Sequence, residues 1–259
     1  MKPRILIKIG GRAFEGESGF KDLAAAIKSN PDLEIIIVHG GGAEISQALK
    51  KAHRETVFVD GIRVTRAEDI KIVEEILSGT INGRIAGWLS KNGIDCRRMS
   101  GKIDRLFVVE PLTRGGQHFG YVGEIKQVNP EGVLNALKQG QVPVISPISA
   151  NNKGESYNVN ADSAAAALAA NAQCSDLVFI TDVPGVLIDD VTCPSLAVRK
   201  VRDLIADGTI KGGMVAKMEA AFEALNHKVP RVHIIQWQGP HTLQSIINQK
   251  RTPGTTIHL

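Results

Sequence analysis

Short apolar runs alternate with amphipathic stretches along the chain, an order that is typical of an α/β protein. Residues 5–9 are apolar except for Lys8, which predicts a buried parallel strand. Residues 19–29 place their apolar side chains on one face, which predicts a helix that Asn30-Pro31 ends. A second apolar run, residues 34–38, leads through glycines into a helical pattern, so we expect two neighbouring parallel strands.

The remaining pattern continues this alternation. Residues 56–65 predict a β-hairpin around Asp60-Gly61, and residues 97–124 predict a strand-rich excursion with short runs at 106–109 and 119–122. Two helical patterns lie between them, one through residue 77 and one from 81 to 91. The pattern predicts further strands at 142–145, 176–180, 232–235 and 254–258, and helices at 133–137, 163–172, 199–206, from 211 onward and at 242–248.

Composition narrows the class of protein. The chain has 259 residues, 43% of them hydrophobic and 22% charged, which suits one extended α/β domain or two lobes. The net charge of +4 is spread out, which gives no reason to expect a nucleic-acid partner. Three distant cysteines indicate neither a disulfide framework nor a metal site. Without a signal or membrane-length segment, we expect a full-length cytoplasmic protein that binds no membrane.

Candidate chemistry begins at Lys8, near the carboxyl end of the first predicted strand, where α/β sheets bind ligands. A lysine there needs an anion, and Gly10 and Gly11 leave backbone N–H groups free to approach one. A strand-end lysine reaching water beside a plain turn is an equally good interpretation. Gly40, Gly41 and Gly42 form a similar turn at a predicted helix N-terminus, which suits an anionic ligand but also occurs in ordinary loops.

Other polar groups have both a functional and a structural interpretation. Arg63 follows the hairpin turn and is either a carboxylate clamp or a solvated side chain. Asn158 precedes Asn160 and Asp162, which suit a helix N-cap and first turn, although this is more polarity than a cap requires. Lys217 borders the apolar stripe of a helix, where a solvated lysine is common.

Six motifs in order resemble the amino acid kinase family over essentially the full length. They are residues 8–11 (Lys-Ile-Gly-Gly), 39–42 (His-Gly-Gly-Gly), 60–65 (Asp-Gly-Ile-Arg-Val-Thr), 158–162 (Asn-Val-Asn-Ala-Asp), 181–186 (Thr-Asp-Val-Pro-Gly-Val) and 212–217 (Gly-Gly-Met-Val-Ala-Lys). The resemblance implies a three-layer α/β/α sandwich with a mainly parallel sheet. It implies that residues 1–174 bind an acyl-amino acid and dimerise, and that residues 175–259 bind ATP.

The branch of the family that the motifs resemble most phosphorylates the side-chain carboxylate of N-acetyl-L-glutamate in arginine biosynthesis. The resemblance implies that Lys8 and Lys217 contact the transferring phosphoryl group, with Asp162 between them. It assigns backbone donors to Gly10, Gly11, Gly41 and Gly42, the α-carboxylate to Arg63 and the N-acyl region to Asn158. Mg²⁺ is expected to arrive with ATP, without a metal site on the protein. The residues implied for the nucleotide pocket are Asp182, Val183, Pro184, Gly185, Val186, Leu187, Thr209, Ile210 and Lys211.

Residues 81–83 and 100–104 depart from the family pattern and leave the acyl group open. N-succinylglutamate or a carrier-linked aminoadipate is an alternative substrate, and a silent sensor with this fold is an alternative of another class. The three residues before the first strand cannot form the helix that links arginine-inhibited hexamers, so we expect an arginine-insensitive homodimer. Residues 69–77 are the candidate dimer face because Ile70, Val73 and Leu77 form an apolar stripe, which could equally pack on the sheet.

Overall fold

An eight-stranded, mainly parallel sheet runs through the centre of the computed structural model, which describes residues 2–10, 14, 16–59, 61–247 and 253–259. The strand order across it is β14-β16-β15-β11-β1-β2-β8-β5. Its strands, in chain order, are β1 (Arg4–Ile9), β2 (Glu34–His39), β5 (Cys96–Ser100), β8 (Val142–Ser146), β11 (Asp176–Thr181), β14 (Ser195–Ala197), β15 (Arg231–Gln236) and β16 (Gly254–His258). Only the pairing of β15 with β16 is antiparallel among the described strands of this sheet.

Helices cover both faces of the sheet. They are α1 (Glu17–Lys28), α2 (Gly42–Lys51), α3 (Ile70–Glu74), α4 (Asn82–Lys91), α5 (Glu131–Lys138), α6 (Ala161–Asn171), α7 (Val198–Ala206), α8 (Gly213–Asn226) and α9 (Thr242–Ile247). Side chains of β1 alternate between the two resulting cores: Leu6 packs with α6 and α8, whereas Ile5 and Ile7 pack with α1 and α4. The predicted three-layer α/β/α sandwich is therefore confirmed.

The strand-rich excursion forms a separate small unit beside the sheet. Its strands β6 (Phe107–Arg114) and β7 (Gln117–Val128) close into a four-stranded barrel with β9 (Ile148–Ala150) and β10 (Ser156–Asn158), which lie beyond the predicted range. Residues 97–100 of the predicted excursion belong instead to β5 of the main sheet. The predicted hairpin is also present, as β3 (Phe58–Val59) and β4 (Ile62–Arg63), and a further hairpin pairs β12 (Leu187–Ile188) with β13 (Val191–Thr192). Gly11, Asp60 and Asn248, which the sequence assigned to turns and a helix end, lie outside the described residues.

Residues 70–91 differ from the sequence prediction because the break expected after residue 77 is absent. A π-helical segment, Glu75–Ile81, joins α3 to α4 without interruption. Arg98 donates to the carbonyl oxygens of Ser78 and Gly79 within that segment, so it binds carbonyls that a regular helix would use internally. Among the described helices, none is long and apolar enough to cross a membrane.

The apolar stripe predicted to form the dimer face is wrong, because it is buried within the chain. Ile70, Val73 and Leu77 are 7%, 0% and 1% exposed in the single chain. They pack inside the core on the α1 and α4 side of the sheet. An apolar stripe already covered within the chain has no surface left for a partner, so helical spacing alone did not distinguish a core face from an interface.

Candidate active site

Three adjacent strands end beside one another at the carboxyl edge of the sheet. β1 lies between β2 and β11, with Lys8 paired to Val38 on one side and Phe179 on the other. Gly10, the triple-glycine turn and the turn after β11 therefore meet at one place. The parallel register brings together motifs that are far apart in the sequence.

Two lysines share one carboxylate at this edge. The Nζ atom of Lys8 lies 2.7 Å from Oδ1 of Asp162, and Nζ of Lys217 donates to Oδ2 of Asp162 at 3.0 Å. All three side chains are largely buried. Asp162 thus holds two ammonium groups near each other, an arrangement that can bind an oxyanion carrying more than one negative charge.

Burial and oppositely charged neighbours shift the pKa values of Asp162 and Lys8 in opposite directions. Burial would raise the pKa of Asp162, but Lys8 and Lys217 together hold it below its ordinary value, so the carboxylate stays ionised. Burial, followed by repulsion from Lys217, lowers the pKa of Lys8, and Asp162 offsets part of that effect. The ammonium groups are consequently less hydrated than surface lysines, which strengthens their attraction for an anion.

Local sequence fixes Asp162 in place. Asn160 is the N-cap of α6, and its Oδ1 accepts from the amides of Asp162 and Ser163 at 2.8 and 3.1 Å. The predicted cap is thereby confirmed. Lys217 lies in the second turn of α8, which packs against α6, and this contact brings its ammonium group to Asp162. The family resemblance implied this arrangement, but residue patterns alone could not have paired the lysines with the carboxylate. The pairing of Lys217 depends on how α6 and α8 pack.

A cavity of about 290 Å³ opens between the triple-glycine turn, the β3–β4 hairpin and the start of α6. Its walls include six of the residues singled out from the sequence, namely Lys8, Gly41, Gly42, Arg63, Asn158 and Asp162, whereas Lys217 lies outside it. Apolar side chains complete the walls, namely Ile45, Phe58, Ile62, Leu77, Val122 and Val159. A small mixed cavity with cationic groups at separate points suits a compact molecule with more than one negative charge.

Arg63 has one bound and one unbound end. Its Nη2 atom donates to the Gly42 carbonyl at 2.7 Å and to Ser46 Oγ at 2.8 Å, whereas Nη1 is buried without an acceptor among the described residues. Burial lowers the pKa of Arg63, yet a guanidinium still remains protonated at neutral pH. A buried charged donor without a partner is costly, so Nη1 indicates an anion-binding position in the cavity.

Close approach explains two of the glycines. A Cβ atom on Gly10 would lie 2.8 Å from Lys8 Nζ, and one on Gly41 would lie 2.3 Å from the Ile81 side chain. Both positions therefore exclude larger residues: Gly10 leaves room for the lysine, and Gly41 lets the π-helical segment pack under the turn. Gly11, the neighbouring predicted phosphate donor, lies outside the described residues.

The two segments predicted to bind the nucleotide, residues 182–187 and 209–211, are mostly more exposed than the charged groups of the cavity. The segment at 182–187 follows β11 directly and adjoins Gly10, whose amide donates to the Ile180 carbonyl at 3.1 Å. Asp182, Pro184 and Leu187 are exposed, Val183 is half-buried, and Thr209 and Lys211 are exposed before α8. Val186 and Ile210 are wrong as pocket-lining side chains, because they are 2% and 5% exposed within the core.

Sequence reasoning missed several groups around the cavity. Phe58 lies under the guanidinium of Arg63, with Cζ 4.7 Å from the ring centroid, and is 54% exposed. Ser46 fixes the bound end of Arg63, one turn into α2. A weak signal existed for Phe58, an aromatic residue between Val57 and Val59 on the predicted hairpin. No signal identified Ser46, whose role depends on a tertiary contact.

Comparisons with known proteins bear on the family to which the chain belongs. The model of the amino acid kinase family matches residues 3–236. A Methanocaldococcus jannaschii protein named acetylglutamate kinase is 38% identical, over 97% of this chain and 89% of that protein. A Geobacillus kaustophilus protein of the same name is 37% identical, over 91% of this chain and 90% of its own length.

Structural likeness extends further. The crystal structure of a Neisseria gonorrhoeae N-acetylglutamate synthase has a TM-score of 0.86 at 21% identity, covering 100% of this chain and 60% of that one. At that identity the likeness concerns the fold alone. The family model and the two sequence relatives each span most of the chain. The protein therefore belongs to the amino acid kinase family.

Proposed function

We propose that the protein transfers the γ-phosphoryl group of ATP to the side-chain carboxylate of N-acetyl-L-glutamate, in arginine biosynthesis. The observation that carries this proposal is the unpaired, buried Nη1 of Arg63 in the same cavity as Lys8. A dicarboxylate can place one carboxylate at each of these cations. The relatives named acetylglutamate kinase support the choice of this N-acyl amino acid among dicarboxylates.

Phosphoryl transfer to a carboxylate explains why the cavity needs cations and no general base. The attacking oxygen is already ionised, so transfer needs alignment and charge stabilisation and no general base. Asp162 is the only carboxylate among the described residues that line the cavity, and both lysines engage it. It is therefore suited to hold the lysines and unsuited to accept a proton.

Each lysine then has a role in the transfer. Lys8, from the first lobe, and Lys217, from the second, contact the oxygens of the transferring phosphoryl group and stabilise the charge that develops there. Asp162 is a positioning residue that keeps both ammonium groups in place. Backbone amides of Gly41 and Gly42 contact the acceptor carboxylate. The Gly10 amide, predicted to contact the phosphoryl group, donates instead to the Ile180 carbonyl oxygen, so it is not assigned that role.

Arg63 and Asn158 hold the other end of the substrate. The free end of the guanidinium binds the α-carboxylate, because the bound end keeps the fork in a fixed orientation. Asn158 is half-buried, and its amide donates weakly to Thr65 at 3.3 Å, which leaves its carbonyl oxygen available to the N-acyl amide. The apolar wall accommodates the methylene groups and the acyl methyl group.

The second lobe, residues 175–259, binds the nucleotide, and the first lobe, residues 1–174, binds the acyl-amino acid. The exposed Asp182 and Pro184 and the half-buried Val183, together with Leu187, Thr209 and Lys211, form the nucleotide side, whereas Gly185 is buried. No group of three His, Cys, Asp or Glu residues suited to a metal occurs among the described residues. A Mg²⁺ ion that arrives with ATP would be held mainly by the phosphates, where it would neutralise their charge.

Assembly and location are part of the proposal. A homodimer rests on the family resemblance, because the stripe predicted to form its face is buried in the chain. A cytoplasmic location is supported by the need for ATP and by the unpaired cysteines Cys96, Cys174 and Cys193. Light scattering tests the assembly, and a hexamer would contradict it.

A coupled assay of ADP release over N-acetyl-L-glutamate, N-succinyl-L-glutamate and N-acetyl-L-aminoadipate tests the substrate. We expect the highest kcat/KM with N-acetyl-L-glutamate. Replacing the exposed Lys200 in Lys200→Ala is the matched control for Lys217→Ala, and only the latter should lose activity. A preference for the succinyl compound, or no ADP release with any compound, would overturn the proposal.

A further inference from the structure

His39 is buried beneath the triple-glycine turn and has no role in the proposed transfer. The residue lies at the end of β2 and is 1% exposed. One ring nitrogen, Nδ1, lies 2.9 Å from the Gly40 carbonyl oxygen, and the other, Nε2, lies 3.2 Å from Nδ2 of Asn82. Burial, followed by the charges of Arg84 and Lys8, lowers the pKa of His39 to about 4. The ring is therefore neutral, and only one nitrogen carries a proton.

The surroundings of Asn82 decide which nitrogen that is. The Nδ2 atom of Asn82 lies 2.8 Å from the Val144 carbonyl and 3.3 Å from the Met99 carbonyl, and both of these are acceptors. Arg98 Nε donates to Oδ1 of Asn82 at 3.1 Å. In the reverse amide orientation, the Asn82 oxygen would face the carbonyl oxygens of Val144 and Met99. The Asn82 NH₂ group would then face the Arg98 Nε–H, which is also a donor. The Asn82 amide therefore donates toward His39, so Nε2 must accept.

The proton of His39 consequently resides on Nδ1. This N–H donates to the Gly40 carbonyl oxygen and fixes its direction. In a planar trans peptide the carbonyl and the next N–H point in opposite directions. Fixing the Gly40 oxygen on the histidine side therefore directs the Gly41 N–H to the other side.

Two cavities border this turn. His39 lines one of about 330 Å³ together with Trp88 and Arg84, whereas Lys8 and Arg63 line the proposed substrate cavity. Gly40 and Gly41 border both. We propose that His39 is a positioning residue that prevents the Gly40–Gly41 peptide from flipping and so keeps the Gly41 N–H directed into the substrate cavity. The role of that N–H in transfer rests on the proposed function.

A flip is a real alternative for this peptide. Glycines on both sides of a peptide bond leave its rotation almost unrestricted by side chains. In the described part of the chain, the Gly41 amide has no hydrogen-bond acceptor that would hold it. The histidine bond is thus the polar contact that sets the plane, and Ile81 and Leu77 only limit the space around Gly41.

Two substitutions of His39 distinguish the roles of its two ring nitrogens. His39→Asn places an amide NH₂ near Nδ1 and can still donate to Gly40, whereas His39→Gln reaches toward Nε2 and keeps only the Asn82 contact. We expect His39→Asn to keep kcat within about threefold and His39→Gln to lose about 10- to 100-fold, with KM for both substrates little changed. Equal activity of the two variants, or the opposite order, would overturn the proposal.

A measurement without turnover keeps the inference separate from the proposed function. In the wild-type protein labelled with ¹⁵N-histidine, long-range ¹H–¹⁵N spectra at pH 7 should show His39 protonated at Nδ1. Protonation at Nε2 would contradict the positioning role even if the kinase assay succeeds. If the assay fails while Nδ1 is protonated, the proposed function fails and the orientation of the turn stands. The NMR arm also remains valid if a variant does not fold.

Discussion

The cavity beside Lys8 and the segments assigned to the nucleotide lie at the same edge of the sheet, yet they are built differently. In the cavity and directly beside it, buried charged groups are fixed by specific partners: Lys8 and Lys217 by Asp162, and Arg63 by Gly42 and Ser46. On the nucleotide side the described groups are mostly exposed, and the two best-buried side chains, Val186 and Ile210, belong to the core. The acceptor side is thus preorganised by side chains, whereas the nucleotide side offers mainly backbone and exposed groups.

The largest expected effect on activity comes from replacing the two lysines. Lys8→Ala and Lys217→Ala should each lower kcat by about 10²- to 10³-fold, because each removes a preorganised charge from the transferring group. Steady-state kinetics measure this, with circular dichroism to confirm folding. Turnover close to that of the wild type in either variant would show that the carboxylate merely pairs two structural lysines.

A smaller effect is expected at the opposite end of the cavity. Arg63→Ala should raise KM for the acyl-amino acid by about 10- to 100-fold, because a charge-assisted hydrogen bond contributes about 1.5–3 kcal/mol. KM for ATP should stay near the wild-type value. Arg63→Lys keeps the charge without the fork and should fall between the two. An unchanged KM for the acyl-amino acid in Arg63→Ala would remove Arg63 from the substrate site.

Stability should depend on pH through His39. The unfolded residue binds a proton near pH 6.5, whereas the folded one does so only near pH 4. Protonation therefore favours unfolding, and the contribution of His39, complete above pH 6.5, is lost as the pH falls through this window. Between pH 8 and pH 5 the free energy of unfolding should fall by about 2 kcal/mol more in the wild type than in His39→Asn. Urea denaturation measures this, with the exposed His118→Asn as control; equal losses in all three proteins would contradict it.

The smallest effect tests the nucleotide side. Val186→Ala should lower the free energy of unfolding by about 2 kcal/mol, because it removes methyl groups from a packed core. KM for ATP should change little, since the side chain is buried away from any ligand. Val191→Ala, at a position 68% exposed, is the matched control and should leave stability nearly unchanged. A raised KM for ATP with normal stability in Val186→Ala would break the distinction between the two regions.

Local patterns determined much of this protein. Runs such as residues 5–9 and 34–38 predict strands because a buried parallel strand is apolar on both faces. Asn160 predicts the start of α6 because its side chain can accept from amides two and three positions ahead. The motifs also singled out Lys8, Asp162, Arg63 and Lys217, all of which the structure brings to one edge of the sheet.

Only the tertiary structure decided which faces and atoms meet. The stripe of Ile70, Val73 and Leu77 has the same helical spacing whether it covers a core or a dimer face. The segment after Leu77 forms a π-helix where local signals indicate a break, because Arg98 supplies donors to its carbonyls. The Asn82–His39–Gly40 chain likewise joins residues from separate elements, and hydrogen-bond geometry is a property of distance and direction that sequence spacing does not contain.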